Sequence, residues 1–383
     1  MSRPAGAPSA TLREASAHDL LGWDALTVAR RRGHVYQSRA YARHLASRGW
    51  RTRFLVFEDG VGVVSYERTW PAIGGGSAYL IRGPVPTDDD PAVTAARLEA
   101  IVAALAPHGI DVVATDAEIP ADSGYPTLLA ARGFRPIPEI QPSRHRMSLP
   151  LGSGVDEPAV LAGVSRSTRQ RIAAAERGGL VVVRHDLLAD AAPLERLEAP
   201  REATAQALER FWTMLLVTGD RRGFAFGPRA EFVPWWEAAH ADGLLVLLEA
   251  RAGDEPIAGL LLHRHGGRLS TVHSADRPET RAAHPGALHL LRWSAARLAV
   301  AEGCSELDLG GVDVAGARRP PREGEPMWGL YEHKRSFGAV WIELTGAHER
   351  VIDAAGYRTG TLLAGIRRRL RPASPAGGSG SAG

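Results

Sequence analysis

Several residue types and patterns are scarce in this chain, and each scarcity excludes a class of protein. Among 383 residues only Cys304 is a cysteine, so a disulfide framework is impossible and a reducing compartment is expected. No uninterrupted apolar run approaches the roughly 20 residues that a membrane-spanning helix requires. The segment Met1–Ala10 lacks the apolar stretch of a signal peptide. We therefore expect a soluble, cytoplasmic protein without stable membrane insertion.

Lysine is also nearly absent. Lysine and arginine together number 46, yet Lys334 is the only lysine. The formal net charge of +3 is too small to indicate a nucleic-acid coat by itself. Arginine is a planar fork and lysine a compact, mobile ammonium, so the two are not interchangeable at close-fitting sites. The one position that stays lysine is therefore a candidate for chemistry, with chance survival of one codon as the alternative.

The motifs of several enzyme classes are missing from the sequence. There is no G-x-x-x-x-G-K-[ST] phosphate loop and no H-E-x-x-H zinc motif, and no G-x-S-x-G turn. We expect neither a bound metal nor a resident cofactor. His263 and His265 lie two residues apart on a predicted strand, so they share one face. We interpret that face as solvated rather than as the start of a metal site.

Apart from these scarce residue types, the overall composition is typical of a globular protein, with 44% hydrophobic and 23% charged residues. Helical and extended patterns alternate along the chain, which favours an α/β architecture. Helices, a β-meander, a further helix and a strand follow one another in that order. The same order occurs twice, which indicates two copies of one α/β unit.

The element order and the composition of the two ends predict the domain limits. Small, proline-rich or glycine-rich ends have nothing to bury and are expected to be disordered. A proline-punctuated stretch before residue 150 is the expected crossover between the two copies. We predict a disordered N-terminus at 1–10, a first domain at 11–150, a second at 151–345, a basic C-terminal helix at 346–371 and a disordered tail at 372–383.

Four segments, taken in order, resemble the Fem family (FemABX-type) of non-ribosomal peptidyltransferases, which use aminoacyl-tRNA to add amino acids to peptidoglycan precursors. They are Tyr79-Leu-Ile-Arg82-Gly83-Pro84, the segment 167–178, the segment 218–224, and Asp308-Leu-Gly310-Gly311 followed by the segment 329–338. The similarity runs from about residue 34 to residue 344. It implies two tandem GNAT-like domains, each a mixed, mostly antiparallel sheet flanked by helices.

The resemblance also implies a function. The expected activity moves an amino acid from aminoacyl-tRNA to an amine acceptor, a peptidoglycan precursor peptide in the commonest family use. One alternative is an acyl-CoA-dependent GNAT-type N-acyltransferase, although the spacing from Arg281 to Gly286 departs from the acyl-CoA signature. A second alternative is a non-catalytic scaffold of cell-envelope assembly, which would have little need for a solitary lysine.

Two residues are the predicted catalytic groups. In the family, a lysine followed three residues later by Phe-Gly lies in the acceptor and tRNA region of the second domain, which assigns Lys334. Its ammonium would stabilise negative charge on the reacting carbonyl or on the departing ribose oxygen, or would meet a phosphate of the tRNA end. Asp116, just past a predicted strand, could accept the proton of the attacking amine.

The same resemblance assigns residues that bind substrate. Arg43, with His44 as its rival, matches a basic residue that meets the diphosphate of a nucleotide-linked acceptor. Arg221 could hold phosphate with both arms of its guanidinium, and Phe337 could stack on an unpaired base or simply pack in the core. The predicted substrate-binding residues are Arg43, Tyr79, Arg82, Arg221, Tyr331 and Phe337.

Overall fold

The computed structural model describes most of the chain and divides it into two compact units. The described residues are 11–86, 90–141, 144–152, 154–189, 194–223, 225–312, 314 and 319–370. The predicted disordered segments, 1–10 and 372–383, lie outside them, as does Phe224. The first unit comprises the described residues of 11–144 and 343–370, and the second those of 145–342. Within these ranges, no helix has the length and apolar character required to cross a membrane.

Helices surround one sheet in the first unit. Its N-terminal elements are β1 (Leu12–Glu14), α1 (Ala17–Leu21), α2 (Trp23–Leu26), α3 (Arg39–Ser47), β2 (Arg51–Phe57), β3 (Gly62–Thr69) and β4 (Gly76–Leu80). They are followed by α4 (Pro91–Leu105), β5 (Val112–Thr115), α5 (Tyr125–Ala131) and β6 (Arg135–Pro136). The chain returns to this unit at its end.

The second unit carries the longer elements. It begins with β7 (His145–Pro150), α6 (Glu157–Gly163), α7 (Arg166–Arg177), β8 (Leu180–His185), β9 (Leu197–Glu198), α8 (Thr204–Arg222) and α9 (Val233–Ala241). It continues with β10 (Leu245–Ala252), β11 (Glu255–His265), β12 (Arg268–Asp276), α10 (Ala287–Ala301), β13 (Glu306–Asp308), α11 (Trp328–Arg335) and β14 (Val340–Glu343). The last two elements, β15 (His348–Val351) and α12 (Ala354–Leu370), belong to the first unit.

Both sheets are built on the same plan. The first has the strand order β1-β2-β3-β4-β5-β15-β6, and the second β14-β7-β13-β12-β11-β10-β8-β9. Each sheet contains an antiparallel meander. The last strand of the meander pairs in parallel with the strand that follows the next helix, β4 with β5 in the first sheet and β12 with β13 in the second. Since such a parallel pair needs a helical crossover, α4 and α10 cover their own sheets. The predicted pair of mixed, mostly antiparallel sheets flanked by helices is confirmed.

Local sequence signals explain why the elements begin where they do. Ser38 and Ser165 cap α3 and α7 by accepting backbone N–H groups of the first turn. Asp90 caps α4, and Pro91 occupies its first position, where the missing N–H has no helical partner to lose. Gly60, with φ of +76°, closes the predicted hairpin between β2 and β3.

The C-terminal segment differs from its prediction. The sequence predicts one basic helix over 346–371, but residues His348–Val351 form β15, which pairs antiparallel with β5 on one side and with β6 on the other. The backbone groups of β5 would otherwise be left without a ladder on that side, and a short strand satisfies them. Likewise β7 pairs with β13 in the second sheet, although its residues fall inside the predicted first domain.

Two further features were not predicted correctly. The helix α11, which carries Lys334, was not predicted as a helix, because its short polar stretch has no clear apolar periodicity. His263 and His265 are buried on β11 rather than solvated, so that interpretation was wrong. The strand β11 lies between β10 and β12, and covering helices bury both of its faces.

Candidate functional site

In the first unit, three predicted site residues meet where β4 and β5 stop pairing. The last pair of that parallel ladder is Leu80 with Thr115, so Arg82 and Asp116 follow at the same edge. The Tyr79 hydroxyl donates to Oδ2 of Asp116 at 2.6 Å, and the backbone N–H of Arg82 donates to Oδ1 at 2.6 Å. The Arg82 Nε lies 3.6 Å from Asp116 Oδ2 and 3.9 Å from Glu118 Oε1. We call these four side chains the first-unit cluster.

Burial dominates the electrostatics of the first-unit cluster. It raises the pKa of Asp116 above its usual range, and the Arg82 charge opposes that rise. Burial is also the largest cause of the raised pKa of Tyr79, and the negative charge of Asp116 raises that pKa further. For Arg82, burial lowers the pKa, but Asp116 and Glu118 outweigh it, so the guanidinium stays charged. A carboxyl with a raised pKa is better suited to accept a proton, although both of its oxygens already accept hydrogen bonds.

A buried glutamine fixes the loop that carries Arg82. The Gln37 Nε2 donates to the Ile81 carbonyl at 2.7 Å, and its Oε1 accepts the Val64 N–H at 2.8 Å. Arg82 itself has φ of +51°, a left-handed conformation that a residue other than glycine keeps only when its surroundings hold it there. Gln37 therefore acts as a positioning residue for Arg82, a role that the sequence did not reveal.

Arg43 and its rival His44 both lie on α3. Arg43 is exposed, whereas His44 is buried, and burial lowers the pKa of His44. The predicted role of Arg43 as a contact for an anionic ligand stays a prediction.

In the second unit, the only lysine is fully buried. Lys334 lies on α11, and its Nζ donates to the Gly311 carbonyl at 2.9 Å. Gly311 follows β13, whose parallel ladder with β12 ends at the pair Ser270–Asp308. Lys334 thus holds the turn that follows β13, at the end of this parallel pair. The ammonium does not project into solvent.

A cavity of about 600 Å³ lies beside α11. Its walls come from α7, α10 and α11, and six of its lining residues are Thr168, Arg171, His289, His333, Arg335 and Ser336. We call it the second-unit cavity. A Cβ added to Gly286, just before α10, would lie 2.5 Å from the Arg171 carbonyl, so the missing side chain lets α7 and α10 approach closely. Lys334 is on the same helix but does not line the cavity.

The second-unit cavity is electropositive. Arg171 Nη1 lies 3.3 Å from His289 Nε2, and the rings of His289 and His333 meet edge to face at 4.5 Å. The pKa of His289 is lowered to about 4, mainly by burial and secondly by the positive charges of Arg171 and Arg292. The pKa of His333 is lowered to about 2, mainly by burial and secondly by the positive charge of Arg292. Both imidazoles are therefore neutral at pH 7, held so by burial and by neighbouring guanidinium groups.

The other predicted residues of the second unit are already engaged. Arg221 Nη2 pairs with Asp276 Oδ1 at 2.8 Å, and Arg281 Nη2 donates to the same oxygen at 2.9 Å. Tyr331 is half-buried, with its ring 5.6 Å from that of Trp328. Phe337 is only 1% exposed within the core of the second unit. Of its two predicted roles, core packing therefore fits the structure, since a fully buried ring offers no face to a base.

One cluster in the described residues has the composition of a metal site. His185, Glu202 and Glu249 bring a ligand atom each to within 4.8 Å of one another. Arg210 pairs with both carboxylates, at 2.7 Å from Glu202 and 2.8 Å from Glu249, and Arg251 pairs with both as well. Two guanidinium groups already neutralise the two carboxylates, so we interpret the cluster as a structural ion-pair network. The expected absence of a metal stays a prediction.

The second unit matches a known domain family. Residues 164–335 match the family described as Acetyltransferase (GNAT) domain, a range that holds Arg221, Lys334 and nearly all of the second-unit cavity. The predicted class of protein, an acyltransferase, is confirmed by this match. A comparison with curated proteins finds none that matches the chain.

Solved structures extend the likeness to both units. The crystal structure of FemX is similar over 91% of this chain and 99% of its own, with a TM-score of 0.73 and 18% sequence identity. A conserved protein of unknown function from Bacteroides thetaiotaomicron is similar over 89% and 98%, with a TM-score of 0.53 and 12% identity. L-PGS from Bacillus licheniformis covers 94% and 97%, with a TM-score of 0.50 and 13% identity. At these identities the likeness is one of fold, and it confirms the predicted Fem-type, GNAT-like architecture.

The structure thus brings the predicted residues together in part. Tyr79, Arg82 and Asp116 form one buried cluster, whereas Lys334 and Phe337 lie at α11 and Arg221 belongs to a separate ion pair. Sequence reasoning missed the histidine pair of α10 and α11 and the buried Arg292 of α10. In the sequence, Arg292 stands out only because its neighbours on both sides are apolar. That pattern indicates burial but does not indicate what the guanidinium contacts.

Proposed function

We propose that this chain moves an amino acid from aminoacyl-tRNA to an amine acceptor, a peptidoglycan precursor peptide. One observation carries the proposal: the only ammonium side chain of the protein is fully buried at the end of the β12–β13 pair, inside a GNAT acetyltransferase domain. Similarity to the FemX fold over nearly the whole chain supports aminoacyl-tRNA as the donor and a peptidoglycan precursor as the acceptor.

The proposed reaction is the aminolysis of an ester. The acceptor nitrogen forms a bond to the acyl carbon, the ester C–O bond breaks, and the terminal ribose hydroxyl of the tRNA is released. The attacking amine loses one proton, and the departing ribose oxygen gains one. Negative charge builds first on the carbonyl oxygen and then on the leaving oxygen, so a fixed positive charge near either atom lowers the barrier.

Lys334 is our candidate for that positive charge. Its Nζ donates a hydrogen bond to the Gly311 carbonyl, and this bond fixes the turn that follows β13. An ammonium held in a water-poor interior acts more strongly on a developing anion than one in bulk water. Lys334 therefore both positions the Gly310-Gly311 turn and contributes the field that the reaction needs.

Asp116 and Arg82 are our candidates for contact with the acceptor. Burial raises the pKa of Asp116, which favours proton acceptance from the acceptor amine. The Tyr79 hydroxyl and the Arg82 N–H hold both of its oxygens at 2.6 Å, so Asp116 also positions Arg82. We keep the exposed Arg43 as a candidate contact for a phosphate of a nucleotide-linked acceptor. Arg221 would have to exchange Asp276 for phosphate to act in the same way.

The second candidate function is transfer from acyl-CoA without tRNA. The observation that favours it is the match of residues 164–335 to an acetyltransferase domain family. The departure of the Arg281–Gly286 stretch from the acyl-CoA signature argues against it. A non-catalytic scaffold is disfavoured by the same domain match. No resident cofactor or metal takes part in the proposed reaction, and because aminoacyl-tRNA is made and used in the cytoplasm, we propose that location.

A donor competition assay tests the proposal. The full chain is incubated with a peptidoglycan precursor peptide and either a radiolabelled aminoacyl-tRNA pool or labelled acetyl-CoA. We expect label in the precursor from aminoacyl-tRNA, and loss of that label after ribonuclease treatment of the donor. Transfer from acetyl-CoA alone would overturn the aminoacyl-tRNA assignment and favour the second candidate.

A further inference from the structure

Arg292, in the second turn of α10, is a buried guanidinium with no counter-ion among the described residues. It is 2% exposed, and it makes no hydrogen bond or ion pair with any residue that the structure describes, its Nε being buried without an acceptor. Burying a charge without a partner is costly, and charged residues are rarely fully buried unless they are paired. Such a group indicates a partner outside the residues that the structure describes.

A second arginine on the same helix shows the ordinary arrangement. Arg297 is also buried, and its Nε lies 2.8 Å from Oε1 of Glu157, an ion pair without hydrogen-bond geometry. The two arginines share one helix and similar burial, so burial alone does not explain the missing partner of Arg292. The difference between them is that, in the described part of the chain, a carboxylate pairs with Arg297 and none pairs with Arg292.

The surroundings of Arg292 are positive as well. Burial, followed by the charge of Arg222, lowers the pKa of Arg292 to about 10. His333, whose Nε2 is buried without an acceptor in the described residues, and His289 both experience the Arg292 charge. Both histidines line the second-unit cavity together with Arg171. The carboxylate that lines it, Glu332, lies 2.9 Å from Arg335 Nε.

We propose that Arg292, Arg171, His289 and His333 bind a phosphate group of the acyl donor in or beside the second-unit cavity. A phosphate ester supplies negative charge for the two guanidinium groups and acceptor oxygens for their N–H groups. The two neutral imidazoles can each donate one N–H to the same group. The hydroxyls of Ser165, Ser167 and Thr168, on the cavity wall, are further donors of the kind that phosphate sites use.

The size of the cavity fits this occupant. Its volume of about 600 Å³ lies within the roughly 300–1,000 Å³ of small-molecule sites, enough for a terminal nucleotide. Two acyl donors present phosphate esters of this kind, the 3′ end of an aminoacyl-tRNA and coenzyme A. The assignment of the phosphate to the acyl donor rests on the proposed acyl transfer, but the phosphate site itself does not.

A binding assay without catalysis tests the phosphate site. Pyrophosphate is titrated into the full chain, into Arg292→Gln and into the matched control Arg297→Gln, with calorimetry as the readout. We expect binding to the parent and to Arg297→Gln, and at least tenfold weaker binding to Arg292→Gln. Equal binding by the parent and Arg292→Gln would overturn the site, provided that both give the same circular dichroism spectrum. For a variant that fails this folding check, His333→Asn is the replacement, with the same expected loss.

The source of the phosphate is identified by competition. A short RNA that ends in the tRNA 3′ sequence CCA, or coenzyme A, is added to the pyrophosphate complex. Displacement by the RNA supports a phosphate of aminoacyl-tRNA, and displacement by coenzyme A supports a CoA donor. Displacement by neither would overturn the assignment to the acyl donor.

Kinetics separate this inference from the proposed function. In the donor assay, Arg292→Gln should raise the KM for the donor at least tenfold and leave the KM for the acceptor unchanged. Pyrophosphate binding that depends on Arg292, without any transfer from aminoacyl-tRNA, would reject the proposed function and retain the phosphate site. Transfer from aminoacyl-tRNA with an unchanged donor KM in Arg292→Gln would retain the function and reject the inference.

Discussion

Each unit buries an arginine, Arg82 just past β4 in the first and Arg292 in the second turn of α10 in the second, and the two differ in their charged neighbours. Arg82 of the first unit is 9% exposed and has two carboxylates within 4 Å, Asp116 and Glu118. Arg292 of the second unit is more deeply buried and has none among the described residues. The first unit therefore supplies its own counter-charge, and the second leaves a positive charge that an external anion can satisfy.

This difference has an energetic consequence. Removing one partner of a buried ion pair leaves the other charge uncompensated, which is strongly destabilising. Removing a buried charge that has no partner relieves a cost instead. Substitutions at the two arginine sites are therefore expected to change stability in opposite directions, and they provide the sharpest tests of the comparison.

The largest expected effect is on stability in the first unit. Asp116→Ala should lower the free energy of unfolding by about 3–5 kcal/mol, because it removes one partner of the buried ion pair with Arg82. Urea unfolding followed by tryptophan fluorescence measures the change. Tyr79→Phe is the matched control, since it removes one hydrogen bond to the same carboxylate and should cost about 1 kcal/mol. If Asp116→Ala were as stable as the parent, Arg82 would not depend on this carboxylate.

The next effect is on catalysis in the second unit. Lys334→Met keeps the aliphatic stem and removes the ammonium, so aminoacyl transfer should fall about 100-fold or more. The donor assay measures kcat, and urea unfolding checks that the stability loss stays smaller than that of Asp116→Ala. A kcat close to that of the parent in folded Lys334→Met would remove Lys334 from the proposed mechanism.

A smaller effect is expected for the paired and unpaired arginines of α10. Arg292→Met should raise the free energy of unfolding by about 1–3 kcal/mol in the absence of anions, because a pKa lowered by burial records the cost of the buried charge. Arg297→Met should lower the same quantity by about 1 kcal/mol, because its partly exposed pair with Glu157 is lost. Matched denaturation curves in phosphate-free buffer test both. A loss of stability in Arg292→Met would mean that its charge is compensated.

The smallest effect concerns acid stability. Burial lowers the pKa values of His263, His273, His289 and His333 to about 3, 4, 4 and 2. The unfolded chain therefore binds protons first as the pH falls below about 6.5, so stability is present above that pH and is lost on acidification. His333→Asn should reduce the loss between pH 7 and pH 6 by about 0.7 kcal/mol.

Urea midpoints at pH 7 and pH 6 measure this contribution. Pyrophosphate should also reduce the acid loss of the parent, because an anion beside His289 and His333 favours their protonation. It should have no such effect in Arg292→Gln. An unchanged pH dependence in His333→Asn would show that this imidazole is not held neutral by the fold.

Much of the fold follows from local signals in the sequence. The Asp59-Gly60 pair predicts the hairpin between β2 and β3, and Ser38 and Gly49 bound the helix α3 closely. The long apolar pattern after Gly286 predicts α10. These signals work because caps, turns and helical faces depend on neighbours within a few residues. The strand β15 and the helix α11 lack them, since β15 is defined by its pairing with β5 and α11 by its packing on the second core.

The candidate site was predictable only in its parts. Arg82 and Asp116 each follow a predicted strand, but the parallel pairing that brings them together joins strands separated by α4. Lys334 was conspicuous because it is unique, whereas its burial and its bond to Gly311 were not visible in the sequence. Arg292 was one arginine among many, and no local pattern distinguishes it from Arg297.

By itself, the sequence determined the scarcity of lysine and cysteine, the alternation of elements and their repetition, because these depend on composition and on short-range periodicity. Only the tertiary structure decided which charges have partners. Asp116 reaches Arg82, Glu157 reaches Arg297, and no described carboxylate reaches Arg292, because charge neutralisation depends on distances of 3–4 Å between elements far apart in the chain.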